Sequence, residues 1–67
     1  SRFAYRIDMW RKNHSSIVRT LALLDNLNMG RAAFDAALVQ YPNDDLTMRQ
    51  GAHLLGDSRR PDIKPVK

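Results

Sequence analysis

In "RFAYRIDMW", Phe3, Tyr5, Ile7 and Met9 alternate with Ala4, Arg6, Asp8 and Trp10. Period two in a run rich in aromatic and β-favouring side chains predicts a strand with one buried face. The polar "RKNHSS" that follows carries asparagine and paired serines, loop chemistry long enough to reverse the chain. "SIVRTLALL" supports either of two periods. At period two, Val18, Thr20, Ala22 and Leu24 form one uncharged face and Ile17, Arg19, Leu21 and Leu23 the other. At helical spacing Ile17, Leu21 and Leu24 align, with Ser15 or Ser16 as N-cap. The strand is preferred, because the first strand needs a neighbour for its backbone groups and the next run after a short loop supplies one at the lowest entropic cost.

"NMGRAAFDAALVQYP" reads as a helix. Met29, Ala33, Phe34, Ala37, Leu38 and Tyr41 make a continuous apolar stripe, while Arg31, Asp35 and Gln40 lie on the exposed side. Its expected span is residues 28–41, with Asn28 capping the start, Leu27 as the staple residue before it and Pro42 blocking continuation. Gly30 in the first turn weakens the helix and points to close approach to a strand.

After the turn "PNDD", the stretch "LTMRQGAHLLGDSRRP" alternates up to a glycine and starts again, which is hairpin patterning with Gly51 at the positive-φ position. Its register stays open. A Gln50-Gly51 loop sets Met48 against His53 and Leu46 against Leu55, whereas a three-residue loop brings Leu54 onto the Met48 face. The end of the chain, with Pro61 and Pro65 around Ile63 and Val66, offers no regular packing face. The pattern as a whole predicts a small α+β domain of order ββαββ over residues 1–58, antiparallel hairpins with one helix packed on the sheet, and a flexible basic tail over residues 59–67. Phe34 and Leu38 are expected to pack on Tyr5, Ile7, Leu46 and Met48.

At 67 residues the chain has room for one core, and a domain of this size buries only about 60% of its unfolded surface. It has no cysteine, so neither disulfides nor a thiolate zinc site can brace it, which points to a cytoplasmic protein. Hydrophobic residues make up 43% and charged residues 27%, a globular composition. No run approaches the roughly 18 apolar residues of a membrane span, and nothing at the start reads as a signal peptide. The net charge is +4, and the excess sits at the two ends. Arg2, Arg6, Arg11 and Lys12 stand against Asp8; Arg59, Arg60, Lys64 and Lys67 stand against Asp57 and Asp62. Such ends make a basic patch only if they meet in space.

The blocks "YRIDMW" (residues 5–10), "SIV" (16–18), a helix running from Ala33 to the Tyr41-Pro42 pair, and "LTMRQGAHLLGDSR" (46–59) resemble a family of short uncharacterised bacterial proteins. That family's pattern is YRIDxW, a polar turn, SIV, a helix of the type AxxxYxAAxxxWP and a closing LTLRQGARxIxDSR; Phe34 and Tyr41 stand at its aromatic positions. The resemblance covers most of the chain and implies a ββαββ domain, with no activity attached. The chain departs from the family at "RKNHS", where an acidic, glycine-containing turn is usual, and at Arg19, where an acidic residue is usual.

Candidate chemistry is sparse. His14 and His53 have no metal-ligand spacing with each other or with a carboxylate, and Asp44-Asp45 is accounted for by turn capping. No serine lies in a nucleophile elbow and no glycine-rich loop could cradle phosphate. No cofactor, metal or catalytic group is therefore expected, and the chain reads as a non-enzyme. Trp10 falls on the Arg6 and Asp8 face of the first strand, near Arg11 and Lys12, where it would serve as a stacking platform for a base, as cover for the sheet edge, or as a protein contact. The candidate interaction surface comprises Arg6, Trp10, Arg19 and Arg49 on one sheet face with Thr47, together with Arg59 and Arg60. The expected function is a protein–protein interaction or homodimerisation module, its partner an unidentified protein or a second copy, with no membrane role; the alternative is a weak, basic nucleic-acid binder.

Overall fold

The computed structural model describes residues 3–60. In chain order the elements are β1 (Tyr5–Trp10), β2 (Ile17–Leu24), α1 (Leu27–Gln40), β3 (Asp45–Gln50) and β4 (His53–Asp57). The strands form one sheet in the order β2-β1-β3-β4, every neighbouring pair antiparallel. This is the expected α+β, ββαββ architecture, and β2 is the strand rather than the helix. Because β2 and β3 both run against β1, they run parallel to each other, and α1 carries the chain across β1 between them.

The helix side of the sheet holds the core. Ile7 and Met9 lie directly opposite Met48 and Leu46 of β3, and these four pack with Phe34 and Ala37 of α1. Tyr5 and Leu38 are partly buried against this cluster, as the apolar stripe predicts. Met29, expected in the same stripe, is 58% exposed. The first turn of α1 instead approaches the sheet through Gly30, where an added Cβ would stand 2.5 Å from the Met48 methyl.

The start of α1 differs from the expectation. Asn26 is the N-cap, its side-chain oxygen accepting from the Met29 backbone N–H at 2.8 Å, and Leu27 is the first helical residue rather than a staple. Asn28 has the same cap chemistry, but β2 ends at Leu24 and the chain turns into the helix at once, so the earlier asparagine takes the role. Tyr41 ends the helix, donating its N–H to the Ala37 carbonyl at 2.8 Å.

The faces of β2 also depart from strict alternation. Its ladder with β1 slips between Ile7 and Asp8 and again between Met9 and Trp10, so that Leu21 and Val18 are passed over. Each bulge resets which residue faces the helix. Ala22 lies opposite Ile7 on the helix side, whereas Thr20, read from the sequence as sharing its face, lies opposite Asp8 on the other.

The second hairpin closes with Gln50 opposite His53, making Gly51-Ala52 the loop, a register neither reading proposed. Gly51 has φ +57, the glycine-first geometry of a two-residue reversal. A slip between Met48 and Arg49 then passes over Leu55 and sets Gly56 opposite Met48. Ser58 fastens the far end: its hydroxyl oxygen accepts from the Leu46 N–H at 2.9 Å, and its own N–H donates to the Leu46 carbonyl at 2.9 Å. Arg59 and Arg60, assigned from sequence to the tail, follow in a turn on Asp57. The rest of that tail, residues 61–67, lies outside the described residues, as does Arg2.

Candidate functional site

The sheet face turned away from α1 is organised as cross-strand rows, because β1 offers Arg6, Asp8 and Trp10 to it and each has partners on either side. The middle row is Thr20, Asp8, Thr47 and Asp57, one residue from each strand. Asp8 is fully buried. Arg6 grips it in bidentate fashion, Nε donating to Oδ2 at 2.8 Å and Nη2 to Oδ1 at 3.0 Å. The Thr20 hydroxyl donates to the same Oδ1 at 2.7 Å while accepting from Arg6 Nη2 at 2.9 Å. The hydrogen bond to Asp8, followed by the charge of Asp8, raises the Arg6 pKa above its ordinary value, against a small opposing effect of burial. The carboxylate is thus matched by donors on its own sheet face, the condition for burying a charge at all.

One flanking row is Ile17, Trp10 and Asp45. Trp10 donates from Nε1 to the Thr47 hydroxyl at 2.8 Å, and His14 stacks on its ring with centroids 5.2 Å apart and planes 11° from parallel. His14 holds that position from a left-handed backbone, φ 56, in the β1–β2 loop. Its Nε2, buried and without a hydrogen-bond partner among the described residues, stands 3.6 Å from Asp45 Oδ2. Lys12 reaches Asp45 Oδ1 from the other side at 4.0 Å and donates to the Asn43 carbonyl.

The other flanking row is Leu23, Arg6, Arg49 and Leu54. It sets two guanidinium side chains directly opposite each other, an arrangement that is repulsive unless a carboxylate intervenes. Asp8 serves that purpose for Arg6, while Arg49 keeps a buried Nε with no hydrogen-bond partner among the described residues. Arg6, Asp8, Trp10, Ile17, Arg49 and Gly51 surround a cavity of about 190 Å³ on this face.

Of the surface residues expected from sequence, Arg6, Trp10 and Arg49 are thus brought together. Thr47 shares their face but is buried. Arg19 is not with them: it lies on the helix side, donating from Nη2 to the Tyr41 hydroxyl at 3.1 Å with its guanidinium 5.5 Å from that ring centroid. The bulge at Val18 turns it there. Arg59 sits at the end of β4 against Asp57, its Nη2 at 3.5 Å from Oδ2, and Arg60 bridges back to Asp57 through its backbone. The basic residues of the β1–β2 loop share that end of the sheet with Arg59 and Arg60, but Asp45 and Asp57 are interleaved among them.

Sequence reading placed Asp8 on the Arg6 and Trp10 face but counted neither it nor Thr20 nor His14 among the site residues. For Asp8 a signal existed, since Arg6 and Asp8 at i and i+2 of a strand share a face with opposite charge. Nothing in the sequence marks Thr20 or His14, which reach the face through a bulge and a left-handed loop residue. Among the described residues no group of three or more His, Cys, Asp or Glu side chains is placed to hold a metal ion, and no helix is long and apolar enough to cross a membrane. No family model, curated protein or solved structure matches this chain.

Proposed function

We propose that the chain is a small non-enzymatic interaction module that works through its sheet. The observation that carries this reading is edge strand β2. It is eight residues long, has β1 on one side and no strand on the other among the described residues, and leaves Ile17, Val18 and Leu23 41%, 51% and 52% exposed. Natural sheets blunt such edges with prolines, outward charges or covering segments, since unpaired backbone groups template association. β2 has no proline, and its one charged side chain, Arg19, is drawn onto Tyr41.

The other reading, a weak nucleic-acid binder, is favoured by Arg6, Arg49 and Trp10 sharing one face. Against it, one side of the Trp10 ring is already covered by His14, and Asp45 and Asp57 interrupt the basic end of the sheet.

Light-scattering mass measured with and without single-stranded RNA separates the two. The interaction reading expects no RNA binding tighter than about micromolar near physiological salt, the range of nonspecific attraction. Binding below that level, lost on Arg49→Ala or on Arg59→Ala with Arg60→Ala in folded protein, would replace the interaction reading. It would also carry a slope of log affinity on log salt near about −3.6 if four phosphates were neutralised.

A further inference from the structure

Resting on the interaction reading, we propose that the partner at the β2 edge is a second copy of this chain, paired antiparallel along β2 with Thr20 on the two-fold axis. The argument is the spacing left by the bulges. Facing away from α1, β1 presents Arg6, Asp8 and Trp10, whose partners on β2 are Leu23, Thr20 and Ile17. With Leu21 and Val18 passed over, these three β2 positions are evenly spaced on either side of Thr20. A two-fold axis through Thr20 therefore lays Ile17 opposite Leu23 of the second copy, and Leu23 opposite its Ile17. The two exposed apolar side chains of this face cover each other twice, and Thr20 meets Thr20, so that no like charges are opposed on this face.

The helix side is compatible with the same register. Arg19 falls opposite Leu21 of the second copy, and both of these positions belong to the helix side, where Leu21, Ala22, Ala33, Ala36 and Tyr41 line an apolar groove of about 330 Å³ between β2 and α1. Neighbouring registers are poorer. Centring on Arg19 sets two guanidinium groups against each other. Shifting the pairing by one residue places Ile17 opposite Leu24, which packs toward the core on the helix side. An antiparallel edge pairing of identical strands closes on itself, so the product is a dimer with a continuous eight-stranded sheet rather than a fibre.

The chain contains no cysteine, so the register can be read by cross-linking. Ile17→Cys and Leu23→Cys are made separately in the 67-residue chain, then oxidised alone and as a mixture. Directly opposed strand positions have the separation a disulfide needs. The mixture is expected to form covalent dimer about tenfold faster or more than either variant alone, through the raised effective concentration at the pair. The doubly substituted Ile17→Lys/Leu23→Lys chain should sediment as monomer where the parent is dimeric, with its circular dichroism unchanged. Equal cross-linking rates in all three samples, or a parent chain that stays monomeric to millimolar concentration, would overturn the second-copy proposal. So would a dimer that survives the lysines but dissociates on Trp10→Ala, an outcome that leaves the interaction reading standing on the face around Trp10. A monomer that binds RNA as described above would remove both.

Discussion

A Cβ at Gly56 would stand 2.8 Å from Cε2 of the Phe34 ring, and one at Gly30 2.5 Å from the end of the Met48 side chain. The distances are similar and the consequences are not. Phe34 is a rigid ring, 3% exposed, with little freedom to move aside, so Gly56→Ala should cost about 1–3 kcal/mol as overpacking. Met48 can swing its terminal methyl, and alanine in a helix recovers about 0.5–1 kcal/mol relative to glycine, so Gly30→Ala should change stability by less than about 1 kcal/mol. Urea unfolding of the two variants checks the order; a Gly56→Ala midpoint at or above that of Gly30→Ala would mean that Phe34 is not seated on β4. The close approach at Gly30 was legible in the sequence, because a glycine in a first helical turn lacks a local purpose. Gly56 gave no such signal, since its face is set by the slip that passes over Leu55.

At the scale of the element, the helix and the strands differ in how much of themselves they announced. The helix was legible from its stripe and from Pro42, but its cap was misplaced by two positions and Met29, counted in the stripe, is exposed. The cap offers a direct test. Asn26→Ala removes the acceptor for the Met29 N–H and should cost about 0.5–2 kcal/mol. Asn28→Ala loses only a 3.4 Å contact with Arg31 at an exposed site and should stay within about 0.5 kcal/mol in thermal unfolding. Strand β2 was legible as a strand only through the need of β1 for a partner, and its faces were not legible. A bulge adds one residue to one side of a ladder, so the sequence keeps its apolar content while the alternation loses phase. That is why Arg19 was expected beside Arg6 and is found on Tyr41, and why Thr20 was not expected to reach Asp8.

For the whole molecule, stability rests on one small cluster under α1. Domains of this length hold about 3–10 kcal/mol in total, and Phe34→Ala removes a buried ring worth about 3–5 kcal/mol. The variant should be largely unfolded at room temperature by circular dichroism; an unchanged melting curve would show that the core lies elsewhere. The sequence by itself determined the kinds of β1, α1, β3 and β4 and their order, because period, glycine, proline and cap chemistry act over a few neighbouring residues, whereas β2 fitted strand and helix periods alike and was read as a strand only from the need of β1 for a partner. The sequence also determined that Ile7, Phe34, Leu46 and Met48 form the core, since burial follows from alternation within each element. Only the tertiary structure decided that β1 lies between β2 and β3, that Asp8 is buried beneath Arg6, and that the arginines divide between two faces. Those outcomes depend on pairings between residues far apart in the chain and on single-residue slips in the ladders, and neither leaves a periodic trace in the sequence.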